Sequence, residues 1–88
     1  MSTLIDKFTK NASEEIQTSY NQFNGNDLLD IRIFYEDESG KYKPSRKGIS
    51  LNVNQLPQLE KAIQKAKEFL EKEGLLANHP SEEGGMQN

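Results

Sequence analysis

The chain predicts an α+β domain: a four-stranded antiparallel sheet followed by one C-terminal helix. Three observations carry that prediction. Asn24-Gly25 lies between two β-like runs, the strongest short-range hairpin signal, because a type I′ turn needs positive φ at both central residues. Asp37-Glu38-Ser39-Gly40 marks a second turn, with Gly40 suited to the left-handed position. Leu56, Leu59, Ile63, Ala66 and Leu70 then recur at intervals of three and four, the period of a helix.

The elements follow in chain order. Residues 1–14 read as an N-terminal arm, weakly docked or disordered; Leu4, Ile5 and Phe8 among polar residues suit a short helical turn or an extra strand. A two-residue loop at Asn24-Gly25 pairs Phe23 with Asn26, and counting outward pairs Tyr20 with Leu29, Thr18 with Ile31 and Ile16 with Ile33. One face of that hairpin holds Ile16, Tyr20, Leu29, Ile31 and Ile33, a consistent core face. The other holds Phe23, Asn26, Leu28, Asp30, Arg32 and Phe34, and has no obvious apolar partner. A short strand is expected near Lys41–Lys43, broken by Pro44-Ser45, with a fourth strand from Gly48 to Asn52. Asn52 can cap the helix with Gln55 as its capping-box partner; Asn54 is an alternative cap that leaves Pro57 in the first turn. Gly74 ends the helix. The apolar stripe suits packing on the chain's own sheet, on a partner helix, or split between the two. Residues 15–73 thus form the ordered domain, and residues 74–88 a disordered acidic tail.

Composition narrows the function classes. The chain has 88 residues, 33% of them hydrophobic, a net charge of −3 and no cysteine. A domain this small buries only about 60% of the surface its unfolded chain exposes. Without disulfides, dimerisation is a common source of the missing buried area. Thiol redox chemistry and thiolate metal sites are excluded, and no run approaches the ~18 apolar residues of a membrane span. The expectation is a soluble, intracellular protein.

Catalytic constellations are lacking. The single histidine, His79, sits in the tail beside Pro80. Glu36-Asp37-Glu38 reads as a solvated loop tip, and no Gly-rich phosphate motif or Ser/His/Asp set is present. No enzyme activity, cofactor or metal is expected. What remains is local: Lys41, Lys43, Arg46 and Lys47 crowd one short segment of an acidic chain, beside a strand that carries Arg32, Phe34 and Tyr35. Cations for phosphates and flat rings for bases are what a single-stranded nucleic acid needs.

These residues resemble a known family. Phe23-Asn24-Gly25, then Leu28-Leu29-Asp30-Ile31-Arg32 and Tyr35, then Lys43-Pro44-Ser45-Arg46-Lys47-Gly48-Ile49-Ser50-Leu51 look like the positive cofactor four family of transcriptional coactivators, over about residues 16–70. The resemblance implies a curved four-stranded antiparallel sheet and one C-terminal helix in a symmetric homodimer. It implies binding of single-stranded or melted DNA with little sequence preference, in transcription or in replication, recombination and repair. Carried over by position, Phe23 and Tyr35 would stack bases, and Arg32, Lys43, Arg46 and Lys47 would contact phosphates. Asn24, Asn26 and Lys41 complete the expected nucleic-acid surface, and Leu56, Leu59, Ile63, Ala66 and Leu70 the expected dimer interface. The hairpin count sets Arg32 and Tyr35 on opposite faces, so both reach one ligand only if a bulge or twist falls between them.

The chain also departs from the family pattern. Asn24 and Asn26 stand where lysines are common, Tyr35 where a tryptophan is common, and Glu14, Glu15 and Gln17 leave the upstream strand poor in cations. Weaker, more salt-sensitive binding is therefore expected than in a fully basic member. The first 14 residues show no serine-rich run, which shifts the expectation toward a phage or microbial protein of DNA metabolism. The location would be cytoplasm or nucleoid in that setting, and the nucleus in a eukaryote. Replication, recombination or transcription proteins are candidate partners. The alternative reading is a protein-interaction module that recruits such machinery through its helix and tail.

Overall fold

Asn24 and Gly25 both take positive φ, 52° and 76°, so the loop has the backbone that the two strands' right-handed twist requires. In the computed structural model, which describes residues 2–77, that turn joins β2 (Glu14–Phe23) to β3 (Asn26–Glu36). Their ladder runs unbroken from Phe23↔Asn26 to Glu14↔Tyr35 and includes Tyr20↔Leu29, Thr18↔Ile31 and Ile16↔Ile33, the register counted from the sequence. The Glu36 amide donates to the Ser13 carbonyl at 2.9 Å and closes the far end of the hairpin.

Two further strands flank it. β1 (Ser2–Asn11) pairs with β2, and β4 (Tyr42–Asn52) pairs with β3, giving an antiparallel sheet in the order β1-β2-β3-β4. The first strand stands where a weakly docked arm was expected. It is exposed along its whole length, so its order comes from ladder hydrogen bonds rather than from core packing. The fourth strand corrects a second expectation: Pro44-Ser45 does not split it. β4 is an edge strand, which bonds along one side only, so proline's missing N–H is tolerated there. The extra residues are absorbed by a bulge. Arg32 pairs with Gly48 and Phe34 with Pro44, leaving residues 45–47 opposite Ile33 alone.

Gly48 is dictated by close approach. A Cβ there would lie 2.5 Å from the Ile31 carbonyl oxygen and 2.8 Å from the Arg32 Cα. Gly40, at φ 85°, closes the β3–β4 turn by donating its amide to the Asp37 carbonyl at 3.0 Å.

The sheet and the 3-10 turn Val53–Gln55 belong to one compact unit that ends at Leu56, and the helix from Pro57 onward to a second. Gln55 accepts the Asn52 amide at 3.1 Å, so the expected capping pair forms, on the 3-10 turn that leads into the helix. The helix, α1 (Leu56–Lys72), carries Pro57 in its first turn, where no intrahelical donor is needed. It ends in a Schellman motif: Gly74 (φ 76°) donates to the Glu71 carbonyl at 3.1 Å and Leu75 to the Leu70 carbonyl at 2.8 Å. No helix among the described residues is long and apolar enough to cross a membrane. His79 and the tail from residue 78 lie outside the described residues.

The core of one chain is small. Leu29, 8% exposed, is the buried apolar residue among those described, while Ile49 on the same sheet face is 45% exposed. On the helix Leu59 and Leu70 are half-buried, whereas Leu56, Ile63 and Ala66 are exposed.

Candidate nucleic-acid interface

Alternation along the unbroken β2–β3 ladder sorts the side chains. One face carries Phe23, Asn26, Leu28, Asp30, Arg32 and Phe34, joined from β4 by Tyr42, Pro44 and Ser50. The other carries Ile16, Tyr20, Leu29, Ile31, Ile33 and Tyr35, joined by Lys43, Ile49 and Leu51. The bulge lies in β4 and leaves β3 regular. It therefore does not bring Arg32 and Tyr35 to one face; the separation counted from the sequence stands.

The two rings expected to stack bases are both exposed, Phe23 by 61% and Tyr35 by 43%. They stand at opposite ends of the hairpin, level with positions 23 and 14 of β2, about 30 Å apart at ~3.3 Å per residue. Asn24 lies in the turn after Phe23 and Asn26 opens β3 opposite that ring, with the Asn26 side-chain amide 3.5 Å from the Asn24 carbonyl.

The cations divide into committed and uncommitted groups. Arg32 is committed: its Nε and Nη2 donate to both carboxylate oxygens of Asp30, at 3.0 and 2.8 Å, and its Nη1 to the Ser45 carbonyl at 3.2 Å. Asp30 raises the guanidinium's pKa above its ordinary value. Lys43 is committed too, 3.0 Å from the Asp37 carboxylate. Asp37 also accepts the Ser39 hydroxyl and the Ser39 and Lys41 amides at 2.7, 2.9 and 3.0 Å. The Ser39 hydroxyl and then Lys43 bring its carboxyl down to about 2. Lys41, Arg46 and Lys47 make no ion pair among the described residues.

Two depressions flank these groups. A shallow one of about 670 Å³ beside Tyr35 is lined by Glu36, Asp37, Glu38, Ser39 and Lys43. Its carboxylates would repel a phosphate chain that approached Tyr35 over the turn. The other, about 230 Å³, lies at the bulge and is formed by Ile16, Ile31, Ile33 and Ile49 with Arg32, Lys47 and Gly48. Lys47 also reaches the field of Glu14, whose carboxyl is held below its ordinary value chiefly by Asn11, then by Lys10, with Lys47 adding to both.

Sequence reading missed the two aspartates that occupy Arg32 and Lys43. The signals were present. Asp30 and Arg32 are two apart on a strand and so share a face. Asp37-x-Ser39-Gly40 is an aspartate poised to accept backbone donors two residues on. With these cations engaged, the salt dependence of phosphate binding is expected to be shallow rather than steep, because the slope counts neutralised phosphates.

Comparison with known proteins agrees with this architecture. Residues 10–62, more than half of the chain, match the family model Transcriptional Coactivator p15 (PC4). BPSL1147, a PC4 homolog from Burkholderia pseudomallei, is similar at a TM-score of 0.70 and 28% identity, over 74% of this chain and 88% of that one. MoSub1, solved as a complex with DNA, is similar at 0.56 and 30% identity, over 78% and 84%. The bacteriophage T5 homolog of the eukaryotic coactivator, implicated in recombination-dependent DNA replication, shares the fold at 0.56 and 21% identity, over 84% and 83%. The Asn-Gly hairpin, the bulged β4 and the family match over both lead to one assignment: the chain belongs to the Transcriptional Coactivator p15 (PC4) family.

Proposed function

We propose that this protein binds single-stranded DNA without sequence preference, as a homodimer. The observation that carries the reading is the similarity to MoSub1, a family relative whose structure was solved with DNA bound, at 30% identity over 78% of this chain. The site chemistry supports it. Phe23 offers an exposed ring at the first turn and Tyr35 a second at the far end, while Lys41 just before the bulged strand and Arg46 and Lys47 on it are cations without an ion pair among the described residues. Rings stack on any base and cations follow any phosphate chain, which accounts for the absence of sequence preference. The net charge of −3 argues against tight non-specific binding to duplex.

Dimerisation is supported by the apolar surface one chain leaves open: Ile49 on the sheet, and Leu56 and Ile63 on the helix, at 45%, 43% and 58% exposure. The setting is DNA metabolism, in transcription or in replication and recombination. A second reading, a helix that recruits a protein of that machinery, is favoured by Phe69. It is 59% exposed and one position off the apolar stripe.

The deciding experiment is fluorescence anisotropy with a labelled oligo-dT of about 20 nucleotides, longer than one binding site, against the matching duplex at rising salt. Binding to the single strand that weakens only gradually with salt, with much weaker duplex binding, is the expected result. Binding to neither at low salt would overturn the reading and leave the helix as the surface to pursue.

A further inference from the structure

Arg32 occupies a position where the family resemblance implies a phosphate contact, yet three of its five N–H donors are already engaged. Both oxygens of Asp30 and the Ser45 carbonyl take them. Both partners of the Asp30–Arg32 pair are only 23% exposed at their side chains. An aspartate held this way cancels the charge that would attract a phosphate, and it fixes the guanidinium plane.

What that plane holds is the bulge. Ser45 is its hub: its carbonyl accepts from Arg32, its hydroxyl donates to the Ile33 carbonyl at 2.7 Å, and the Lys47 amide donates to that same hydroxyl oxygen at 3.0 Å. On the far side Gly48 lies directly against the Arg32 backbone. Residues 45–47 face a single residue of β3, so the ladder gives them little support of its own. The side chains that project from this segment include Arg46 and Lys47, two of the cations free of any ion pair among the described residues.

We infer that Arg32 is a positioning residue rather than a phosphate ligand: clamped by Asp30, it fastens the Ser45 carbonyl and so sets where Arg46 and Lys47 meet the nucleic acid. The inference rests on the single-strand reading above and reassigns one residue within it.

The two roles differ in how binding depends on salt. Each phosphate contact on a single strand contributes about 0.7 to the slope of log K against log salt. Loss of a positioning residue weakens binding while leaving the number of contacts, and the slope, unchanged. The test compares oligo-dT binding by the unchanged chain, D30N/R32Q, S45A, R46Q and K47Q over a range of salt, with hydrogen exchange at the Lys47 amide. The double variant removes both charges together and leaves no carboxylate stranded.

R46Q and K47Q are expected to flatten the slope by about 0.7 each. D30N/R32Q and S45A are expected to weaken binding about five- to tenfold at unchanged slope, and to speed exchange at the Lys47 amide. A slope flattened by about 0.7 in D30N/R32Q, with Lys47 exchange unaltered, would make Arg32 a phosphate ligand and overturn the inference. If the unchanged chain binds no oligo-dT, the single-strand reading itself fails. The exchange comparison then still decides whether Arg32 fastens the bulge.

Discussion

Phe23 and Tyr35 stand on opposite faces of one hairpin, at its two ends, about 30 Å apart. A nucleic acid that used both rings would have to cross from the turn to the far end and pass from one face to the other. As base-stacking positions the rings would therefore be separate sites. Phe23→Ala and Tyr35→Ala are each expected to weaken oligo-dT binding by roughly 1–3 kcal/mol, the worth of one stacked base. Their effects should add in the double variant to within about 0.5 kcal/mol, because the sites are far apart and share no partner. Anisotropy titrations of the two single variants and the double variant check this; strong non-additivity would mean a shared pocket.

The close approach at Gly48 predicts a stability effect. In Gly48→Ala the new methyl would meet backbone at 2.5 Å, and backbone cannot rotate away. A loss of at least about 1–3 kcal/mol is expected in urea denaturation, the usual cost of forcing atoms into filled space. Gly25→Ala has nothing within 4 Å and meets only the left-handed φ of 76°. It should cost about 1–2 kcal/mol. Equal tolerance of both would mean the bulge is not built as described.

The Asp37 turn predicts a response to acid. Its folded-state carboxyl sits at about 2, below the ordinary 3.8, because the Ser39 hydroxyl and Lys43 favour the charged form. A depressed carboxylate contributes order above its ordinary value and loses it as pH falls. The turn should therefore hold at pH 5 and loosen between about pH 4 and 2. Hydrogen exchange at the Ser39 and Lys41 amides, both of which donate to Asp37, reads this directly. Flat protection across that window would contradict it.

Asp37 also competes with any phosphate for Lys43. Asp37→Asn keeps an oxygen to accept the Ser39 and Lys41 amides and removes the charge. It is expected to tighten oligo-dT binding and to steepen the salt slope by about 0.7, one further phosphate contact. An unchanged slope would place Lys43 outside the path of the strand.

The helix stripe predicts the assembly. Ile63, 58% exposed in one chain, would be buried in a helix-mediated dimer. Ile63→Asp should shift sedimentation toward the monomer at micromolar concentration, because an unpaired carboxylate would have to be buried. An unchanged sedimentation coefficient would move the interface elsewhere.

The hairpin, its register and the acidic turn were legible because they are local: Asn24-Gly25 sets the loop, and alternation does the rest. Gly74 was legible for the same reason. The first strand was not, because Ser2–Asn11 has little apolar alternation and is ordered by pairing to β2. The continuity of β4 was hidden by Pro44, which reads as a break unless the strand is known to lie at an edge. In the site, Lys43, Arg46 and Lys47 stood out by composition. Which of them are spent on aspartates depends on side-chain geometry that spacing alone does not reveal.

The outermost strand has a consequence for handling the protein. Among the described residues β1 has an unpaired backbone edge, with Leu4, Ile5 and Phe8 all more than half exposed, the kind of surface on which copies stack into fibrils. Register shifts between Leu4 and Asp6 and between Thr9 and Asn11 interrupt its line, and Lys7 and Lys10 place charge along it. A straight template is thereby denied to an incoming copy. Substitutions that smooth those two irregularities or remove the lysines would therefore be tolerated by the fold and punished during concentration and storage.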